Sequence, residues 1–177
     1  SLRKLLAAHR PGKAEAQAVV RAFEESVRRS INKNEEVLTD ANFASVKKLR
    51  LENPVINDLT PLTKLSNLTD LKLSLFHVRD LTPLSKLKKL EKLSLSGCPS
   101  IDLKTAANLK QIKSLRLYKN QIRDLTPLAG LSALEHFEME EYQIADLGPL
   151  KKLTGLKEIN LQSLHFDLLK EVADTKI

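Results

Sequence analysis

At 177 residues, with 42% hydrophobic side chains and only 4% aromatic, the chain can build one domain with a sizeable core, while five Gly and seven Pro exclude a collagen-like or low-complexity chain. Its formal charge of +7 admits an acidic protein, a nucleic acid or an anionic surface as partner, yet acids and bases are both abundant and an evenly solvated surface is the simpler reading. The single cysteine, Cys98, rules out an intrachain disulfide, and no apolar run approaches the ~20 residues that cross a bilayer.

Residues 1–13 read as a flexible basic segment carrying Arg3, Lys4, Arg10 and Lys13. Its apolar run Leu5-Leu6-Ala7-Ala8 is too short for a complete signal peptide, and a leader removed before Ser1 would leave no trace. Residues 14–48 are helical in pattern. Val19, Phe23, Val27 and Ile31 recur every fourth position, which lays an apolar stripe along one helix. Pro11-Gly12 limits that helix upstream, and Asn32-Lys33-Asn34 interrupts it downstream. Thr39 then has the character of an N-cap for a second, shorter helix with Phe43 and Val46 facing inward.

From Leu49 the chain repeats with a period of 22, over five full rows and a partial sixth. The rows begin at Leu49, Leu71, Leu93, Leu115, Phe137 and Ile159, and their third residues are Leu51, Leu73, Leu95, Leu117, Met139 and Leu161. This alternation predicts a strand with one buried face. Later apolar residues recur every three, as in Leu59, Leu62, Leu65 and Leu68, which suits a 3₁₀ or helical turn. One row cannot bury its own apolar side, so the rows must stack as parallel neighbours around a shared leucine core. The two helices before Leu49 then cover the open end of that core.

Each turn carries its own punctuation. Asp58-Leu59-Thr60-Pro61-Leu62 returns as residues 80–84 and 124–128, and as Asp146-Leu147-Gly148-Pro149-Leu150. Pro suits the first turn of a helix, Thr before it can cap with its hydroxyl, and Asp can accept from nearby amides. These recurrent aspartates read as turn-builders, not as catalytic acids or metal ligands. The third row departs, with Thr105 for Pro, Ala106 for Leu, and Ile101 shifted by one. The repeats end near residue 166. In the remainder, Leu164, Phe166, Leu168, Leu169 and Val172 can make a last partial coil or a short helix, and residues 167–177 are a C-terminal cap or a truncated end.

The row from Leu115 to Leu134, with its Asp-Leu-Thr-Pro-Leu block, resembles the 22-residue leucine-rich repeats of bacterial internalins and internalin-like proteins. The resemblance runs over about residues 43 to 166, and Phe23 to Val46 is similar to the helical cap that precedes such repeats. It implies an α/β solenoid: a right-handed superhelix with a parallel sheet on its concave face, a short 3₁₀ or helical convex side and an α-helical N-terminal cap. It further implies protein binding by that face, often at a bacterial cell surface or after secretion. Related repeats in intracellular phosphatase regulators keep a cytoplasmic scaffold open as an alternative. The family places Asn at the sixth position of each row, where its amide bonds adjacent turns. Here that position holds Pro54, Phe76, Cys98, Asn120, Tyr142 and Leu164, so only Asn120 can make the bond and apolar packing must replace it elsewhere.

The residues flanking each buried pair point away from the core. They make a face that is basic at Arg50, Lys72 and Lys92 and acidic at Glu138, Glu140 and Glu158. Arg116 and Tyr118 sit together on the fourth strand, are residue types favoured at binding centres, and are the first-choice contact centre, with Lys72, Lys92, His136 and Glu138 around them and Arg50 and Glu140 as further contact residues. The competing reading is an ordinary solvated strand face. Catalysis finds little support: His77 and His165 share a repeat position but lie roughly 19 Å apart at ~4.8 Å per strand, too far to share a metal. Cys98 reads as a small buried hydrophobe. No cofactor is expected. The expected partner is a protein or peptide held by a monomer. Polyanion binding through Lys86, Lys88, Lys89, Lys110, Lys113, Lys151, Lys152 and Lys157 is the rival, although no aromatics interleave with them and nucleic acid is the weaker choice.

Overall fold

The computed structural model describes residues 13–33, 37–74, 77–141 and 143–162. The expected flexible segment before Lys13, the sixth-position residues Phe76, Tyr142 and Leu164, and the C-terminal end all lie outside the described residues. Six strands, β1 (Lys48–Leu51), β2 (Asp70–Ser74), β3 (Lys92–Ser96), β4 (Ser114–Tyr118), β5 (His136–Glu140) and β6 (Glu158–Gln162), form one parallel sheet in sequential order. Leu49 pairs with Leu71, Leu71 with Leu93, Leu93 with Leu115 and Leu115 with Phe137. The 22-residue period is therefore the sheet register itself. The inward pairs of β1 to β5 are at most 3% exposed, and with Leu62, Leu84, Leu128 and their neighbours they fill one continuous core.

Short 3₁₀ helices return the chain at Thr60–Lys64, Thr82–Lys86, Leu103–Ala106, Thr126–Gly130 and Gly148–Lys152. The aspartate two residues before each opening amide accepts from it: Asp58 from Thr60 N at 2.8 Å, Asp80 from Thr82 N at 2.7 Å, Asp124 from Thr126 N at 2.8 Å and Asp146 from Gly148 N at 2.7 Å. The carboxylate, not the threonine hydroxyl, thus takes the orphan donor at the turn's start. The irregular third row keeps this device, with Asp102 accepting from Lys104 N at 2.9 Å, although its turn is one residue shorter. Thr105, in the place of proline, donates to Asp102 O at 2.6 Å and accepts from Leu81 N at 2.9 Å. It ties its coil to the preceding one, which a proline has no hydroxyl to do.

The cap consists of α1 (Lys13–Ile31) and α2 (Asp40–Ser45). Val19, Phe23 and Val27 are buried on one side of α1, and the Phe23 and Phe43 rings stack with centroids 6.3 Å apart. Thr39 caps α2 as the sequence predicts. Its hydroxyl accepts from Asn42 N at 3.3 Å while Asn42 Oδ1 accepts from Thr39 N at 2.8 Å, closing a reciprocal box with Asn in the usual Glu or Gln position. Asn67 joins cap to solenoid by donating to Ala44 O at 2.8 Å.

At the sixth row position, Asn120 is buried and behaves as expected: its Oδ1 accepts from Cys98 N at 2.9 Å and its Nδ2 donates to Leu95 O at 3.1 Å. Cys98 is fully buried. Pro54 corrects the expectation of apolar packing, because it is exposed. There Asn53 closes the bend, accepting from Val55 N at 3.0 Å through its side chain and from Ile56 N at 3.1 Å through its carbonyl. A further group was not foreseen. Glu141 is only 1% exposed, and its carboxylate accepts from Asn120 N at 2.7 Å, Asn120 Nδ2 at 3.0 Å and Ile122 N at 3.3 Å. Lys119 and Gln121, on either side of Asn120, both have positive φ, 55° and 61°. That curl turns successive amides toward one acceptor.

Glu141→Ala would strand these donors in the interior and should lower unfolding stability by about 3 kcal/mol. Lys110→Ala on the exposed back should stay within about 0.5 kcal/mol. Urea titration followed by circular dichroism measures both.

Candidate functional site

The open face of the sheet carries the predicted contact residues. Arg116 on β4 and Glu138 on β5 are register partners, and Arg116 Nε donates to Glu138 Oε2 at 2.9 Å. Tyr118 is paired with Glu140 one step along, and Lys119 Nζ lies 3.7 Å from Glu140 Oε1. His136 Nε2 is 3.8 Å from Glu158 Oε2 on β6. Arg116, Tyr118, His136, Glu138 and Glu140 therefore form one cluster on two adjacent strands. A shallow hollow of about 270 Å³ beside it is lined by Asp70, Lys92, Ser114, Arg116, His136, Glu138, Glu158 and Asn160.

Burial pushes the Tyr118 phenol up to about 12, and the neighbouring Glu138 carboxylate adds to the shift while Arg116 opposes it. The neutral phenol is the form this cluster holds at any physiological pH. The cluster is also already charge-paired, so an approaching ligand meets an Arg–Glu couple rather than a bare guanidinium.

Of the other predicted residues, Lys92 lines this hollow from the next strand, while Lys72 and Arg50 are more distant. Lys92 lies on β3, Lys72 on β2 and Arg50 on β1, so Lys72 is two strand spacings from Arg116, roughly 10 Å. Arg50 is tied to Glu52, its Nε donating to Glu52 Oε1 at 2.6 Å. Lys72 and Arg50 belong instead to a second and larger groove of about 760 Å³, between α1 and the first two strands. Ser26, Arg29 and Ser30 of α1 line one side of it, and Lys48, Arg50, Glu52, Asn53, Pro54, Asp70 and Lys72 the other. The sequence reading treats α1 solely as a cover for the core and misses this groove. The available signal was the polar trio Ser26, Arg29 and Ser30, spaced by three and four on a helix that packs on β1.

Several lysines of the back are committed to neighbours one repeat away. Lys113 Nζ donates to Glu91 at 2.8 Å, Lys157 Nζ to Glu135 at 2.7 Å and Lys89 Nζ to Asn67 at 2.6 Å. The hydrogen bond to Glu91 raises Lys113, and the one from Lys157 lowers Glu135. Among the described residues, no group of three or more His, Cys, Asp and Glu could hold a metal ion, and no helix is long and apolar enough to cross a membrane. His77 is exposed, and Cys98 Sγ sits 3.6 Å from Ser96 O within the core. His165 lies outside the described residues.

No protein-family model matches the chain, and no curated protein does. Among solved structures it is similar to internalin C2 of Listeria monocytogenes, at 33% identity and a TM-score of 0.71, over 81% of this chain and 65% of that one. It is similar in fold to internalin F of the same organism, at 23% identity and a TM-score of 0.58, over 81% of this chain and 56% of that one. A leucine-rich-repeat protein of Leptospira interrogans shares the fold at 18% identity and a TM-score of 0.52, over 75% of this chain and 36% of that one. The chain thus spans 65% of the length of internalin C2 and 56% of that of internalin F.

With Tyr142 replaced by phenylalanine, absorbance titration of Tyr118 should give a half-point near 12, and Glu138→Gln should lower it while leaving it above the ordinary value, because burial is the larger cause. Because the folded-state value lies above the unfolded one, the phenol's contribution to stability is complete below pH 10 and disappears as pH rises through about 12. Thermal unfolding across that window checks the sign.

Proposed function

Because the chain is an internalin-like leucine-rich-repeat protein built on 22-residue repeats, we propose that it is a non-catalytic recognition module whose open sheet face holds a protein or peptide partner. The observation that carries this reading is the cluster of Arg116, Tyr118, Glu138, Glu140 and His136 on β4 and β5. Its backbone is fixed by hydrogen bonds to strands on both sides, so little conformational entropy remains to be lost when a partner docks. Tyr118 supplies a half-buried aromatic surface, and the paired charges around it form a polar rim.

The partner is a folded protein or an extended peptide presenting an apolar group to Tyr118 and hydrogen-bonding groups to the Arg116–Glu138 couple. Likeness to internalins favours display at a bacterial surface or secretion, with adhesion or host-cell contact as the setting. Polyanion binding by the lysines of the back is the weaker reading, since Lys89, Lys113 and Lys157 are already engaged within the solenoid.

Immobilised chain should capture a partner from host-cell surface extracts, identified by mass spectrometry. The Arg116→Ala/Tyr118→Ala variant should retain at least about tenfold less of it, the loss expected when a central anchor pair is truncated. Equal capture by both forms would remove these two residues from the interface.

A further inference from the structure

The groove between α1 and the first strands has a chemistry unlike that of the Arg116–Tyr118 cluster. Four cations line it, Arg29, Lys48, Arg50 and Lys72, against two carboxylates, Glu52 and Asp70. Glu52 is taken up by Arg50. Arg29 Nε is held by the Glu25 carbonyl at 3.4 Å, within its own helix. Lys48 and Lys72 are exposed and make no ion pair among the described residues, although Lys48 is the register partner of Asp70, in contrast to Arg116, Lys113, Lys119 and Lys157. The volume of about 760 Å³ is that of a site for a few residues of a peptide. The walls are a helix and a sheet edge that pack on each other, so the backbone positions that carry the cations are held at a fixed spacing.

We propose that this groove is a second recognition subsite, which takes an acidic peptide segment and places one or two of its carboxylates on Lys48 and Lys72. Three features favour an acidic peptide over other anions. The interleaved Glu52 and Asp70 would repel a continuous phosphodiester strand but leave room for carboxylates at separate points. Among the described residues, no aromatic side chain lines the groove to stack a base. The cations sit in a recess between helix and sheet, where a flat bilayer surface cannot follow them. Lys72 stands roughly 10 Å from Arg116 along the sheet, so one extended ligand can occupy both sites, while either can be tested alone.

The test is fluorescence anisotropy of labelled hexaglutamate, with a labelled twelve-nucleotide oligothymidine and phosphatidylserine vesicles as rival probes. Lys48→Gln/Lys72→Gln should weaken hexaglutamate binding at least about fivefold, as expected for two exposed charge pairs, with an unchanged thermal midpoint. The charge-matched back variant Lys110→Gln/Lys151→Gln and the Arg116→Ala/Tyr118→Ala variant should bind it as wild type does. Lys48→Glu/Lys72→Glu should transfer the preference to labelled hexalysine, which guards against mere loss of folding. Equal weakening by the back variant, no hexaglutamate binding at low salt, or tighter Lys48- and Lys72-dependent binding of the oligonucleotide or vesicles would overturn the proposal. Because hexaglutamate binding is independent of Arg116 and Tyr118, failure here leaves the reading of the sheet cluster standing, and the reverse.

Discussion

In-register parallel stacking governs everything else in this molecule. Each strand pairs with the strand 22 residues later, so every residue meets its own repeat position on the adjacent coil. Apolar positions gain from this, since leucine lies on leucine and no coil has a core without its neighbours. Charged positions would suffer, because like would lie on like. At one repeat position the chain avoids that by alternating sign: Glu91, Lys113, Glu135 and Lys157 occupy it on four successive coils, and the pairs Glu91–Lys113 and Glu135–Lys157 close at 2.8 and 2.7 Å, whereas the aspartates that lead the turns are kept apart in charge only by the amides they each accept from. Such exposed pairs add little stability individually. Their value lies in opposing a slip of one coil against the next.

The same constraint explains the sheet face. Arg116 and Glu138 are one repeat apart and pair for the same geometric reason as the lysines and glutamates of the ladder. A face whose charges are already coupled offers a partner shape and hydrogen-bond pattern more than net attraction, which suits discrimination over raw affinity. The cap end differs. Lys72 is aligned with Arg50 on β1 and with Ser94 on β3, neither of them acidic, and Lys48 is aligned with Asp70 but makes no ion pair with it. Their charge remains available to something outside the chain.

How far the sequence led depends on whether a feature repeats. The strands, the sheet register and the Asp-led turns were legible because each recurs every 22 residues, and one misassignment would have broken five rows. Asn120 was legible as the lone bearer of a family position. Glu141 was not, since it occurs once, follows two other glutamates and resembles part of an exposed acidic run; only the backbone curl around Asn120 brings amides to it. Thr105 was noted as a departure, but its bond to Leu81 N needs the adjacent coil in place. The cap groove was hidden because it forms between elements far apart in sequence, one of which shows the sequence reader only its apolar stripe.

The buried knot of Asn120 and Glu141 makes the stack non-uniform. It fastens the third row, through Cys98 N and Leu95 O, to the fourth and the fifth by fully buried side-chain bonds, whereas the other side-chain ties between coils among the described residues, such as Thr105 to Leu81 N and Gln111 to Leu87 O, are part-buried or exposed. A chain of near-identical links ordinarily opens wherever thermal fluctuation strikes first. With one reinforced joint at its middle, this solenoid should peel inward from both extremities and surrender its centre last, so that pulling or proteolysis would leave a resistant fragment built on β3, β4 and β5.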